Sequence, residues 1–315
     1  MKSLRHNLLR NVCEKRFDYN FLKRDFGNGL HQIRYYKKSF VKGSSREPPE
    51  EKADYFVEPF QNERVNVSDF LDADGFLVAK DNCISRQKSM NRTISKIFDY
   101  AHSYEWEWFC TFTFSEELVA DRKDFACVSK YMTIWLNHMR SRYCPDMKYI
   151  LVPEMHKDGA FHFHGLFADC EGLDFVPAIN NQEFLKSGKP NKYFGQPLIR
   201  KGRQIYNIAK FKGFTDCEKV VDSHKASSYI TKYITKELVA ATPNKKRYWC
   251  SRGLPTPKEE YLFLPYKEGD FVESSQKILF DILEKYENVD AKTVRLEHGA
   301  FENEIVYITF STEKR

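Results

Sequence analysis

Three side chains between positions 154 and 164 have the types and spacing to hold a divalent cation. In His162-Phe163-His164, strand alternation sends both imidazoles to one face and Phe163 to the other. Whether Glu154 joins them depends on the turn between the runs 148–155 and 161–168, which read as two strands of a hairpin. A three-residue Lys157-Asp158-Gly159 loop, with Gly159 left-handed, pairs His156 with Ala160 and sets Glu154 opposite His162 and Val152 opposite His164. A two-residue Asp158-Gly159 loop instead turns Glu154 to the far face. The glycine at the third loop position favours the first register. Two imidazoles and a carboxylate on one face suit Mn²⁺, Mg²⁺ or Zn²⁺ and leave coordination positions for a substrate. His156 is by parity a rival ligand, or else a solvated turn residue.

The second group is Tyr229-Ile230-Thr231-Lys232-Tyr233-Ile234-Thr235-Lys236. The segment 220–239 contains neither Pro nor Gly and predicts a helix, capped by Asp222 or Ser223 and ended by Pro243. On such a helix Tyr229 and Tyr233 project one turn apart from one face. Lys232 and Lys236 follow on a neighbouring stripe, and Lys225 lies one turn before Tyr229. A phenol with a pKa near 10 becomes a nucleophile only beside cations or a polarised electrophile. Alone, this pattern also describes an ordinary amphipathic helix.

Several elements must position these groups. The run Cys110-Thr111-Phe112-Thr113-Phe114-Ser115 alternates at period two, which predicts a half-buried strand with phenylalanines in the core and threonines on the other face. A helix is expected over 91–104. Another is marked by Phe125, Val128, Met132, Trp135, Leu136 and Met139, which fall on one helical face. A polar loop over 169–196, a short strand over 205–209 and two strands over 293–296 and 304–310 follow. Helices mixed with hairpins predict an α+β fold on a central antiparallel sheet with flanking helices.

The chain has 315 residues and a net charge of +6, with eight scattered cysteines and no Cys-x2-Cys pair. It lacks the apolar segments expected of a membrane or exported protein. Scattered thiols fit a reducing compartment better than a disulfide framework. Residues 1–50 hold 12 Lys+Arg against 5 Asp+Glu, and five basic residues with no acid lie between Arg200 and Lys212. Arg200, Lys201, Arg203, Lys210 and Lys212 form a candidate phosphate-contacting group, with Tyr206 available for base stacking and Lys236 as a further backbone contact. The division expected is a basic N-terminal region over 1–85 with linker composition near 43–53, a central domain over 86–255 and a C-terminal α/β extension over 256–315 that would complete the sheet. No Gly-x4-Gly-Lys-[Ser/Thr] phosphate loop occurs.

The strand 110–115, the Glu154…His162-Phe163-His164-Gly165 hairpin and the Tyr229…Tyr233-containing segment occur in the order of the three motifs of HUH endonucleases. The chain resembles their rolling-circle replication initiators, in particular the two-tyrosine type of single-stranded DNA bacteriophages and related plasmids. The likeness spans about 105–255, including Arg247-Tyr248-Trp249-Cys250-Ser251-Arg252-Gly253. It implies a ferredoxin-like palm and a metal-dependent nickase and strand transferase. Glu154, His162 and His164 would hold Mg²⁺ or Mn²⁺. Tyr229 would form a 5′-phosphotyrosine, Tyr233 would act in a second cleavage, and Lys232 would orient the phosphate. It further implies a single-stranded DNA origin, a host helicase and DNA polymerase as partners, and a bacterial host cytoplasm. A single-strand transposase, a relaxase and a non-catalytic single-stranded DNA-binding protein are the alternatives.

Overall fold

The computed structural model describes residues 17–42, 80–184, 186–242, 245–265, 270–286, 288–298 and 301–312. The linker-like stretch 43–53 and the first 16 residues lie outside them. The described chain opens on the hairpin β1 (Phe17–Asp25) and β2 (Leu30–Lys42). Helix α1 (Lys80–His102) leads into β3 (Trp108–Thr113), helix α2 (Phe125–Arg142) and the hairpin β4 (Tyr149–Met155) and β5 (Phe161–Phe167). Short strands β6 (Phe175–Pro177), β7 (Ile199–Arg200), β8 (Arg203–Gln204) and β9 (Tyr206–Ile208) precede β10 (Phe214–Lys219). Next come α3 (Ser223–Ile230), a 3₁₀ turn (Thr231–Tyr233), α4 (Lys236–Ala241) and β11 (Trp249–Cys250). Strand β12 (Lys258–Leu262), helix α5 (Phe271–Leu283), β13 (Asp290–His298) and β14 (Phe301–Ser311) finish the chain. The fold is α+β on antiparallel sheets. No helix among the described residues is long and apolar enough to cross a membrane.

The chain divides into two compact units, one from its two ends (Met1–Val78 with Pro257–Arg315) and one from Ala79–Thr256. In the first, five antiparallel strands run in the order β12-β1-β2-β14-β13. The C-terminal strands therefore extend the N-terminal hairpin, not the sheet that carries Glu154 and His162. Tyr35, Ile33, Ile308 and Phe310 form its core with Phe271 and Ile282 of α5, and the Tyr35 and Phe271 rings stack at 5.0 Å. Arg24, only 2% exposed, donates to Glu259 across β1–β12 at 3.1 Å. Such a buried arginine, paired with a glutamate at the surface, makes a core strand read as polar in sequence.

In the second unit seven strands run in the order β11-β4-β5-β3-β10-β9-β6. The residues marked on α2 are its buried ones, from Phe125 to Met139. They cover the sheet face that carries Phe112 and Phe163, both fully buried, with Trp135 5.3 Å from Phe112. The Asp124 side chain caps α2, accepting from Ala126 N–H at 2.8 Å. The cysteines described are free thiols.

Three expectations require correction. The helix expected over 91–104 begins earlier, at Lys80. The polar stretch 169–196 is not all loop, since it contains a 3₁₀ turn (Glu171–Leu173) and β6. Most consequentially, 220–239 is not one helix: Val220 and Val221 precede α3, and the helix breaks after Ile230. Ile234 leaves helical geometry at φ −83°, ψ 84°. Thr235 then caps a new helix, its hydroxyl accepting from Leu238 N–H at 3.2 Å. Threonine hydroxyls compete with the backbone for its own hydrogen bonds. Here that competition is resolved in favour of a second cap, with Ile230, Ile234 and Leu238 all buried beneath the break.

Candidate metal and nucleophile site

The β4–β5 register assembles the site. Gly159 has φ +85°, Gly159 N–H donates to His156 O at 2.9 Å, and His156 N–H donates to Ala160 O at 2.9 Å. This is the three-residue loop with a left-handed glycine, so Glu154 pairs with His162 and Val152 with His164. Strand β3 continues the rows, with Thr113 opposite His162 and Thr111 opposite His164. Strand β10 adds Phe214 beside Thr113 and Asp216 beside Thr111. Paired residues share a face, so one row reads Glu154, His162, Thr113, Phe214 and the next Val152, His164, Thr111, Asp216.

Each imidazole is held at Nδ1. Thr111 Oγ1 lies 3.1 Å from His164 Nδ1, and Thr113 Oγ1 lies 3.0 Å from His162 Nδ1. His164 Nε2 meets Glu154 Oε2 at 2.7 Å, and His156 Nε2 meets the same oxygen at 3.3 Å. The His156 ring stacks on His162 at 3.9 Å. The hydrogen bond with His164 and the neighbouring imidazoles hold the Glu154 carboxyl below its ordinary pKa against the effect of burial. Burial, with His156 and His164 nearby, lowers His162 to about 4, so its neutral, ligand-competent form prevails near pH 7.

The tyrosine segment lies over this face. Tyr233 stacks on His164 with ring centroids 3.7 Å apart and planes within 8°. Tyr229 meets Tyr233 edge-on at 5.4 Å and Phe109 at 5.8 Å. Tyr229 is 48% exposed. Burial, then the Tyr229 hydroxyl and the Glu154 charge, pushes the Tyr233 phenol above its ordinary range. The Lys232 ammonium lies 5.3 Å from the Tyr229 ring centroid. Lys225 instead pairs with Asp222 at 3.0 Å. The helix break is what allows this arrangement. The two phenols are perpendicular, one against the imidazole and the other toward solvent.

Among the described residues, no three His, Cys, Asp or Glu side chains form a group arranged as a metal centre. The donor chemistry nevertheless fits a divalent ion. Both imidazoles spend Nδ1 on a threonine, which leaves Nε2 as the ring donor, and a carboxylate lies in the same rows.

The basic group is divided. Arg200 bonds Asp216 at 2.6 Å and Arg203 approaches Glu218 at 3.8 Å. Asp216 and Glu218 alternate onto the face that bears His164, so the β7–β8 hairpin is tied to the site face. Lys201, left-handed at φ 50°, turns that hairpin and is exposed, as is Lys212. Neither makes an ion pair among the described residues. Lys210 pairs with Asp174 at 3.3 Å and lies 5.1 Å from the ring of Tyr143, at the end of α2. Tyr206 is opposite Cys217 and packs edge-on against Trp108 at 5.0 Å, on the face away from the histidines. Lys236 begins α4, and its side chain lies outside the described residues. The sequence alone did not single out Phe109, Phe214 or the direct threonine bonds to the imidazoles. The alternation of β3 carried the signal for the threonines.

Residues 107–238 match the model of a family described as the Replication-associated protein ORF2 family. The match runs from the edge of β3 into α4 and takes in every group of the site, and it points to a role in DNA replication initiation. No curated protein and no solved structure matches the chain.

Proposed function

We propose that the 79–256 unit is a metal-dependent nickase and strand transferase that initiates rolling-circle replication on single-stranded DNA. The single observation that carries this reading is the stacking of Tyr233 on His164 at 3.7 Å, with Tyr229 against Tyr233. It sets two phenols beside a Glu-His-His face inside the segment that matches a replication-associated family. Glu154, His162 and His164 would hold Mg²⁺ or Mn²⁺, which when bound polarises the scissile phosphate and offsets its charge.

Tyr229 is the first nucleophile, because it is half exposed while Tyr233 is held against an imidazole. Its oxygen attacks phosphorus, the phenolic proton leaves to solvent or a nearby base, and the bond to the 3′ oxygen breaks. The products are a 5′-phosphotyrosine and a free 3′-OH that a polymerase can extend. Lys232 stabilises charge near the phenolate. Tyr233 attacks in a second round, after its stack on His164 opens. The 3′-OH freed by that cleavage then attacks the first phosphotyrosine and rejoins the strand without ATP. Arg200 and Arg203, on the hairpin tied to the site face, and Lys201 at its turn would follow the phosphate backbone, with Lys212 nearby. Host helicase and polymerase would be the partners.

The test incubates protein with labelled single-stranded oligonucleotides that tile the DNA encoding it, with Mn²⁺ or with EDTA. The expected result is a denaturant-resistant adduct mapped to Tyr229, lost with EDTA and in Tyr229→Phe, with first cleavage retained in Tyr233→Phe. Retained adduct in the double phenylalanine variant would overturn the reading.

A further inference from the structure

Each imidazole of the site meets the hydroxyl of the threonine directly opposite on β3, at 3.1 Å for Thr111 and His164 and 3.0 Å for Thr113 and His162. A hydroxyl can either donate or accept, whereas a carbonyl or carboxylate at that place could only accept. The difference matters most for His164. Its Nε2 lies 2.7 Å from Glu154 Oε2, and a carboxylate accepts only. The ring therefore carries a proton on Nε2, and in that tautomer Nδ1 presents a lone pair. Thr111 must then donate. For Nε2 to bind a cation that proton has to leave, and a neutral ring then carries its proton on Nδ1. Thr111 must then accept.

We propose that Thr111 is a positioning residue whose reversible hydroxyl lets His164 exchange tautomer when a divalent ion displaces its bond to Glu154, with Thr113 holding His162 in register. The proton count closes: Nε2 releases one proton to solvent and Nδ1 takes one from solvent. This explains why β3 carries hydroxyls at two positions where valine has the same shape and a better strand propensity. Both threonines are partly buried, so losing the hydroxyl leaves an imidazole nitrogen without its partner. Partners of this kind typically contribute about 10–100-fold to metal affinity. The inference rests on the cation site proposed above.

The experiment uses the full chain with ¹⁵N-labelled histidine and no DNA. Long-range ¹H–¹⁵N spectra read the tautomer of His164, assigned by its loss in His164→Gln, before and after Mg²⁺ addition, and calorimetry reads Mn²⁺ affinity. In the wild type we expect Nε2–H without metal and Nδ1–H with it. Thr111→Val should weaken Mn²⁺ binding by about 10–100-fold and disturb the tautomer. Thr111→Ser should restore both. If Glu154→Ala binds Mn²⁺ as tightly as the wild type, the cation site itself is wrong. If Glu154→Ala abolishes binding but Thr111→Val binds normally and shows the same tautomer change, only the role of Thr111 is wrong.

Discussion

Gly165 follows His164 on β5, and its missing side chain would point into the core between Phe163 and Phe167. It pairs with Cys110 on β3 and Leu151 on β4. A Cβ added there would lie 2.8 Å from Phe167 Cε2, 3.0 Å from Leu151 Cγ and 3.2 Å from Ile150 O. All three neighbours are fully buried, so none can withdraw into solvent. Gly165→Ala must therefore shift the Phe167 ring or spread β4 from β5, at an overpacking cost of about 1–3 kcal/mol. Alanine offsets about 0.5–1 kcal/mol of this by its lower unfolded-state entropy, which leaves a net loss of about 1 kcal/mol at the middle of the overpacking range and about 2 kcal/mol at its upper end. The four tryptophans, Trp106, Trp108, Trp135 and Trp249, are all buried in this unit. Urea unfolding of the full chain followed by tryptophan fluorescence thus reports on it. With a slope of about 2 kcal/mol per M, the midpoint should fall by about 0.5–1 M. Gly159→Ala serves as the comparison. Its Cβ would meet nothing nearer than Lys123 Cδ at 3.8 Å, so its cost is the left-handed backbone alone, about 1–2 kcal/mol. An unchanged midpoint for Gly165→Ala would refute the packing argument, because no neighbour has anywhere to go.

Other consequences can be checked with the same protein. Burial, reinforced by His224, lowers His102 to about 3. Below about pH 6.5 the unfolded chain therefore binds a proton that the folded one refuses, and stability falls as the solution is acidified. From pH 7 to pH 5 this residue alone should remove about 2 kcal/mol, read as the change in urea midpoint. His102→Gln, which can still meet Ser228, should flatten that dependence, and an identical pH profile would contradict it. Lys201→Ala and Lys212→Ala should each lower the salt slope of single-stranded DNA binding by about 0.7. Arg200→Ala, already bonded to Asp216, should change that slope less, as measured by fluorescence anisotropy over a salt series. Phe214 is 69% exposed in the row of His162 and Thr113, where an unpaired base can stack. Phe214→Ala should weaken oligonucleotide binding by about 1–3 kcal/mol and Phe214→Trp should retain it; equal affinity for all three proteins would remove this residue from the interface.

Much of the site was legible because strand geometry is periodic and the deciding turn is local. The alternation of His162-Phe163-His164 and a glycine at the third position of the 157–159 loop are enough to set Glu154 opposite His162. The helical face of α2 was legible for the same reason, since its apolar spacing is a local pattern. The break at Ile234 was not, because continuing a helix and capping a new one at Thr235 are close in local energy, and burial of Ile230, Ile234 and Leu238 decides between them. The cluster from Arg200 to Lys212 looked like one basic patch because its acids, Asp174, Asp216 and Glu218, lie outside that stretch of sequence. Only tertiary pairing divides those cations into bound and free.

The N-terminal strands were hidden for a different reason. β2 pairs with β14 from the other end of the chain (Tyr36 with Ile305), and Arg24 is buried beside Glu259, so the local pattern of β1 and β2 mixes charge with core. Residue type and period by themselves determined which side chains share a face and which turn brings Glu154 to the histidines. The tertiary structure decided what covers that face, which phenol is exposed, and which hydroxyl holds each imidazole, because these depend on contacts between segments that no local period encodes.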